Sequence, residues 1–105
     1  MSRLDDLIAD IPEQFQELAR AHLPILISMA QDEVVAWIDL ILSGKYETAY
    51  QVTNDRMTPS ERIGEQKRLN ALLEQYNKDS AGDNQMLRDL FRNLILILFS
   101  MLLDN

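Results

Sequence analysis

Apolar residues recur every three or four positions along residues 1–30. The series alternates spacings of four and three and consists of Leu4, Ile8, Ile11, Phe15, Leu18, His22, Ile25 and Met29. Because a helix completes one turn every 3.6 residues, this spacing places all of these side chains on one stripe, which a strand cannot do. Residues 1–30 are therefore predicted to be helical.

Two prolines interrupt this stripe. Pro12 fits the first turn of a helix that Asp10 caps, so residues 3–9 are predicted to form a short separate helix or an N-terminal arm. Pro24 lacks an amide hydrogen and lies inside the helical pattern. We expect it to kink or break the helix over 11–30.

Local signals predict three further helices before the C-terminus. Asp32 is a candidate N-cap of a helix that is apolar on nearly every face and ends at Gly44, a residue suited to a left-handed cap. A short helix follows over 46–53. The segment 58–61, Thr-Pro-Ser-Glu, is a capping box with proline at the first helical position. It predicts a helix that runs to about residue 77, followed by a polar turn over 78–83.

The last predicted helix, over 84–103, changes character along its length. It opens amphipathically and becomes apolar on all sides from Leu94 to Leu103, a run of ten residues without a charge. A membrane span needs about twenty such residues, so no span is predicted. A helix of this kind must be covered on every side. It is either the central helix of the monomer, or its far face packs on a second copy.

These segments predict an all-α fold: a small irregular helical bundle of four to five helices, with the apolar C-terminal helix central or at an oligomer interface. With 105 residues, the chain fits one domain over 1–105. Only three glycines and three prolines are present, too few turn residues for a sandwich or a barrel.

Net charge and cysteine content limit the binding partners and the cellular compartment that we expect. The net charge is −7, and residues 1–44 hold eight acidic residues against two basic ones. An acidic half repels phosphate backbones, so nucleic acid is not an expected partner of this soluble domain. The chain has no cysteine, which excludes disulfides and thiolate metal sites and favours a cytoplasmic location.

Candidate chemistry is sparse. His22 is the single histidine, and Ala19 stands three residues before it, so the Glu-x-x-His pairs of a di-iron bundle are absent. No metal or cofactor is predicted. We interpret His22 as a hydrogen-bonded core residue that satisfies a carbonyl freed by Pro24. The alternative is a proton-sensitive switch or a lone catalytic base.

The remaining charged and aromatic residues are interpreted as surface or rim. The basic cluster Arg56, Arg62, Lys67 and Arg68 is interleaved with acids and is typical of a salt-bridged surface, with nucleic-acid or acidic-partner contact as the alternative. Glu61 and Glu65 are interpreted as charges of a solvated face, Glu65 pairing with Arg68. The tyrosines Tyr46, Tyr50 and Tyr76 are predicted to line the edge of the core with their hydroxyls outward.

Two classes of function stay open. The leading hypothesis is a non-enzymatic protein–protein interaction or assembly module, a small homo-oligomeric adaptor or chaperone-like protein, with a dimer favoured. Its candidate interface residues are Trp37, Leu94, Ile95, Leu98, Phe99 and Leu102. The alternative is a small helical ligand-binding regulator or metal-dependent hydrolase with a pocket inside the bundle. Its candidate residues are Glu13, Glu17, His22 and Tyr50.

Overall fold

Six helices make up most of residues 3–77 and 82–103, the part of the chain that the computed structural model describes. They are α1 (Arg3–Ala9), α2 (Glu13–Ser28), α3 (Gln31–Leu42), α4 (Tyr46–Asn54), α5 (Pro59–Asn77) and α6 (Gly82–Leu103). No strand occurs in these two ranges, so the predicted all-α class is confirmed, with more helices than the four or five expected. The radius of gyration is 13.4 Å, close to the roughly 13 Å of a compact domain of 100 residues.

Helix α6 lies at the centre of the bundle and contacts each of the other five helices. Its buried side chains are Met86, Leu87, Leu90, Phe91, Leu94 and Ile97. Toward the end of the helix the exposed fraction rises, to 67% at Leu102 and 86% at Leu103. One helix therefore serves as core over most of its length and as surface at its end.

The apolar stripe of residues 4–29 faces the core, as predicted, although two helices share it. Every one of its members is buried or half-buried. Helix α1 packs against α2 and α6 and buries Ile8. Residues 3–9 thus form the short separate helix that was one of the two predictions, and this helix packs in the bundle.

Pro12 and Pro24 differ from the prediction in one respect each. Helix α2 starts at Glu13, with Pro12 at the N-cap and no side-chain capping bond, so the predicted cap by Asp10 is wrong. The helix continues through Pro24 to Ser28, so it does not break there. A proline inside a helix costs about 3 kcal/mol, which the burial of the neighbouring Leu23 and Leu26 side chains offsets, at about 1.5–3 kcal/mol each.

Helix α3 is capped by a different acid from the one predicted. It begins at Gln31, and the Ala30 amide donates to Glu33 Oε1 at 2.9 Å. Glu33 also pairs with the Arg56 guanidinium. These two contacts, the amide bond first, lower the pKa of Glu33 below its ordinary value. Asp32 is not the N-cap, because the helix already starts at Gln31 and Ala30 holds that position. Glu33, at the third helical position, is long enough to reach back to the Ala30 amide.

Two other predicted helix ends are confirmed. Gly44 has φ of 77° and follows α3, and the Lys45 amide donates to the Leu40 carbonyl at 2.8 Å, the bond that closes a Schellman motif. At the start of α5 the Thr58 amide donates to Glu61 Oε1 at 2.8 Å, and the Glu61 amide donates to Thr58 Oγ1 at 3.2 Å. These reciprocal bonds form the predicted capping box.

The segment between α5 and α6 is described only in part. The predicted polar turn over 78–83 falls largely on residues 78–81, which lie outside the described residues, and α6 already includes Gly82. Within 3–77 and 82–103, no helix combines the length and the hydropathy that crossing a membrane requires.

Candidate functional site

Three helices bring four polar side chains together in the core. His22 comes from α2, Tyr50 and Thr53 from α4, and Glu65 from α5. We call these four residues the polar cluster. The exposed fraction is 0% for His22, Thr53 and Glu65 and 8% for Tyr50. Ionisable side chains are almost never fully buried unless they are paired, so the contacts within the cluster decide whether it is stable.

The hydrogen-bond directions within the cluster follow from one carbonyl. Thr53 Oγ1 lies 3.0 Å from the Tyr50 backbone carbonyl and 2.7 Å from His22 Nδ1. A carbonyl can only accept, so the Thr53 hydroxyl donates its hydrogen to it. His22 Nδ1 must therefore carry a proton and donate to Thr53 Oγ1, which fixes the orientation of the imidazole ring.

The second ring nitrogen meets a buried carboxyl group. His22 Nε2 lies 2.6 Å from Glu65 Oε2, and one proton lies between the two atoms. If the proton is on His22, the contact joins an imidazolium to a carboxylate. If it is on Glu65, the contact joins a neutral imidazole to a carboxylic acid. The pair has no net charge in either form, which limits the cost of burying it.

The Tyr50 hydroxyl completes the polar cluster. It donates to Glu65 Oε2 at 2.9 Å, and the Tyr50 ring lies 5.2 Å from the His22 ring, centroid to centroid. Burial, and then the neighbouring Glu65 carboxylate, raise the pKa of Tyr50 well above its ordinary value. Glu65 Oε1 is also buried and has no hydrogen-bond partner among the described residues. The structure thus corrects the prediction of an outward-pointing Tyr50 hydroxyl.

This arrangement limits the chemistry that the polar cluster can perform. His22 has no exposed surface and both of its ring nitrogens are engaged, so no substrate can contact it in this conformation. Its partners are side chains, and the predicted bond to a carbonyl freed by Pro24 is absent. Tyr50 is a protonated phenol near neutral pH, and its raised pKa extends this to more alkaline pH. It is a hydrogen-bond donor, not a nucleophile.

A cavity lies beside the polar cluster, between α4, α5 and α6. Its volume is about 240 Å³. The lining residues are Glu47, Tyr50, Gln51, Leu69, Leu73, Met86 and Leu87. Tyr50 is the shared member, since one side of it faces the cavity and its hydroxyl contacts Glu65. The cavity is open to solvent on the side of Glu47 and Gln51, so it is a surface pocket and not the interior one that the alternative hypothesis describes.

The candidate residues of the alternative hypothesis are brought together only in part. His22 and Tyr50 are in contact, whereas Glu13 and Glu17 are exposed on α2. Glu17 lies 4.0 Å from the Arg68 guanidinium. Among the residues that the structure describes, no group of three or more His, Asp or Glu side chains is placed to hold a metal ion.

Glu65 is the functional candidate that the sequence interpretation missed. It was predicted to be a surface charge paired with Arg68, and the structure contradicts this because Glu65 is fully buried. Its position offered a signal. Glu65, Leu69 and Leu72 are spaced by four and three residues, as on a buried stripe, whereas Ile63 is 62% exposed.

The basic cluster is paired at the surface by other partners. Arg56 binds Glu33, and Arg62 donates to the backbone carbonyls of Asn54 and Asp55, at 3.1 and 2.9 Å. These contacts agree with the interpretation of a salt-bridged surface, although the acids involved are not the interleaved ones.

The candidate interface residues lie at three depths. Trp37 and Leu94 are buried, and the Trp37 indole N–H donates to the Ala49 carbonyl at 3.1 Å. Trp37 also packs edge-on against Phe91, with ring centroids 5.5 Å apart. Ile95 and Leu98 are half-buried, and Phe99 and Leu102 are exposed. Trp37 and Leu94 therefore belong to the core of the chain.

The exposed end of α6 forms the second candidate site. Its members Leu96, Phe99, Leu102 and Leu103 are between 47% and 86% exposed. We call these four residues the C-terminal face. Leu96, Phe99 and Leu103 are spaced by three and four residues and so lie on one side of the helix. The Ser100 hydroxyl next to them donates to the Leu96 carbonyl at 2.9 Å, so the hydroxyl is used within the helix.

Comparisons with protein-family models, with curated proteins and with solved structures gave no match. The chain is therefore described from its own structure, as a small all-α bundle with a buried polar cluster and an exposed apolar helix end.

Proposed function

We propose that this chain is a non-enzymatic interaction module that self-associates through the C-terminal face. The observation that carries the proposal is the exposure of four large apolar side chains, which share the last two turns of α6. Soluble monomers rarely expose contiguous apolar patches larger than a few hundred Å², and larger ones mark interfaces.

The composition of α6 favours an apolar contact. No residue between Arg92 and Asp104 is charged, so two such surfaces meet without burying an ion. Apolar side chains at spacings of three and four are also what pairs helices side by side, as in a coiled coil. The half-buried Ile95 and Leu98 flank the face and would extend the contact.

Charge complementarity favours a second copy as the partner, with the two helices antiparallel. Arg92 is exposed and lies about 16 Å before Leu103 along the helix, at about 1.5 Å per residue. The C-terminal end of α6 carries a partial negative charge, and no basic residue lies in its last turn. In an antiparallel pair, Arg92 of each copy lies beside the negative helix end of the other. Every contact is then made twice, as in the common two-fold dimer.

The wider role follows from this surface. A module of this kind acts as a small adaptor, assembly or chaperone-like protein, and the absence of cysteine favours the cytoplasm as its compartment. The polar cluster supports the non-enzymatic part of the proposal, because its histidine is enclosed and its tyrosine stays protonated.

The test is the absolute mass in solution, measured by light scattering over a concentration series. The native chain should reach twice the 12.1 kDa of one copy. Phe99→Glu places a carboxylate on the C-terminal face and should raise the dissociation constant at least about a hundredfold, because burying an unpaired carboxylate costs several kcal/mol.

Ile63→Glu is the matched control. Ile63 is 62% exposed on α5, so the same change is made at an apolar surface position of another helix. The mass of this variant should follow that of the native chain. A native chain that stays at 12.1 kDa throughout the series would overturn the proposal.

A further inference from the structure

The cavity between α4, α5 and α6 has an apolar wall and limited size. Leu69 and Leu73 line it from α5, and Met86 and Leu87 from α6. At roughly 30 Å³ for each water in the liquid, its volume of about 240 Å³ holds on the order of eight non-hydrogen atoms. That is smaller than the roughly 300–1,000 Å³ of sites for drug-sized ligands. The cavity suits a small molecule with a compact apolar body.

The polar groups at the cavity present hydrogen-bond acceptors. The Tyr50 hydroxyl has already donated its hydrogen to Glu65, so only its oxygen lone pair is left. Gln51 Nε2 donates one hydrogen to Asp55 Oδ1 at 2.9 Å, which leaves one N–H and the carbonyl oxygen of the amide. The Glu47 carboxylate is exposed at the rim and can only accept. Two of these three groups can only accept, so a ligand that brings donors complements the cavity better than one that brings acceptors.

The negative charge around the cavity favours a ligand whose donor group is cationic. Glu47 and Asp55 are both exposed carboxylates on or next to α4, and the chain as a whole carries −7. A primary amine keeps its proton at neutral pH, as lysine does, and offers three donors. From the wall, the acceptors and the charge, we propose that this cavity binds a small primary amine with an apolar body.

Binding there would engage the polar cluster through Tyr50. An ammonium that donates to the Tyr50 oxygen polarises the hydroxyl and strengthens its bond to the Glu65 carboxyl, because hydrogen bonds in series reinforce each other. The site is separate from the C-terminal face, since none of its lining residues belongs to that face. The test of self-association and the test of amine binding therefore fail or succeed independently.

The methionines provide the probe for the test. Met86 lines the cavity, whereas Met57 is buried elsewhere in the chain and reports any general change. The full chain is labelled with ¹³C at the methionine methyl groups and titrated with benzylamine, benzyl alcohol and benzoate by NMR. Benzylamine should shift the Met86 signal saturably, with a dissociation constant several-fold lower than that of benzyl alcohol, while Met57 stays in place.

Two variants test separately how the charge at the rim and the shape of the cavity contribute to ligand binding. Glu47→Gln should raise the dissociation constant of benzylamine about two- to fivefold, the range of an exposed ion pair, and leave that of benzyl alcohol unchanged. Leu73→Trp fills the cavity at a half-buried position and should abolish the saturable shift for both ligands. Because Glu47 is exposed, its variant tests the proposal even if the tryptophan variant folds poorly.

Three results would overturn the proposal. They are a Met86 signal that none of the three ligands shifts saturably, benzoate binding as tightly as benzylamine, and a Glu47→Gln variant that binds benzylamine as the native chain does.

Discussion

The polar cluster and the C-terminal face depart from the usual distribution of side chains in opposite ways. The cluster buries a histidine and a glutamate completely, and it satisfies nearly all of their polar atoms with partners from three helices of the same chain. The face exposes four large apolar side chains, and nothing in the described chain covers them. The cluster is thus explained by the chain alone, whereas the proposed function covers the face with a second copy.

The energetic roles of the two regions differ as well. A buried ion pair is seldom more stabilising than apolar residues of the same volume, although removing only one partner is very costly. The polar cluster therefore constrains how α2, α4 and α5 fit together more than it adds to their affinity. The C-terminal face adds nothing to the stability of one copy until it is covered, and its free energy appears only on association.

The largest loss of stability is expected when one partner of the buried His22–Glu65 pair is removed. Glu65→Ala leaves His22 and the Tyr50 hydroxyl without their acceptor inside the core. We expect the free energy of unfolding to fall by about 3–5 kcal/mol, measured by urea denaturation.

Glu65→Gln is the matched control for that loss. The glutamine amide keeps the shape, and with its nitrogen in the position of Glu65 Oε2 it donates to the Nε2 of a neutral His22, so it should lose clearly less than the alanine variant. A loss below about 1 kcal/mol for Glu65→Ala would mean that the contacts of the polar cluster are unimportant for stability.

The next prediction compares the two ends of α6. Leu94 is buried and Phe99 is 47% exposed. Leu94→Ala should lower the free energy of unfolding by about 2–5 kcal/mol, because it opens a cavity in the core. Phe99→Ala should change it by no more than about 0.5 kcal/mol at concentrations where the chain is monomeric. Equal losses for the two variants would show that Phe99 belongs to the core of one copy.

Tyr50→Phe should give a smaller loss in the free energy of unfolding, and this loss should depend on pH. The variant loses one hydrogen bond to a carboxyl group, about 1.5–3 kcal/mol near neutral pH. Because folding raises the pKa of Tyr50 above its ordinary value of 10.0, the bond stabilises the fold fully below that pH and is lost as the pH rises further. The stability difference between variant and native chain should therefore shrink in alkaline urea titrations. A constant difference would contradict the raised pKa.

The smallest effect is expected at an exposed carboxylate. Folding lowers the pKa of Glu33, so its contribution is present above the ordinary value of 4.5 and is lost as the pH falls through the lowered value. Glu33→Gln should slightly reduce the loss of stability in acid, and 1 M salt should shrink the difference, since Arg56 and Glu33 are both exposed. A change in stability as large as that of Glu65→Ala would contradict the expected difference between exposed and buried charges.

The helices were predictable because they follow from local signals. The spacing of residues 4–29, the capping box at 58–61 and Gly44 each act over a few residues, and the structure has helix ends close to those positions. The errors concern helix starts, at Asp10 and Asp32: no side chain caps the start of α2, and at α3 the amide of Ala30 donates to Glu33 instead.

The polar cluster was only half predictable. His22 stands on the apolar stripe, so its burial could be read from spacing. Its partners Thr53 and Glu65 are 31 and 43 residues away, and nothing local indicates which distant side chain will meet a given ring nitrogen. Glu65 was assigned to the surface because most glutamates are solvated, which overruled its spacing with Leu69.

The two ends of α6 could not be told apart from the sequence. Residues 94–103 are almost uniformly apolar, so composition gives the same expectation for Leu94 and Phe99. Their different depths depend on where the other five helices stop along α6, which only the packed structure determines.

The most direct test of the central claim, that two copies meet through the C-terminal face, uses the absence of cysteine in the chain. In Leu96→Cys the only thiol lies on the face, and in Ile63→Cys it lies on α5. Both are oxidised at the same concentration, and the covalent dimer is quantified by non-reducing electrophoresis. We predict a dominant disulfide-linked dimer for Leu96→Cys and mainly monomer for Ile63→Cys. Equal yields for the two variants, or no dimer from Leu96→Cys, would contradict the account.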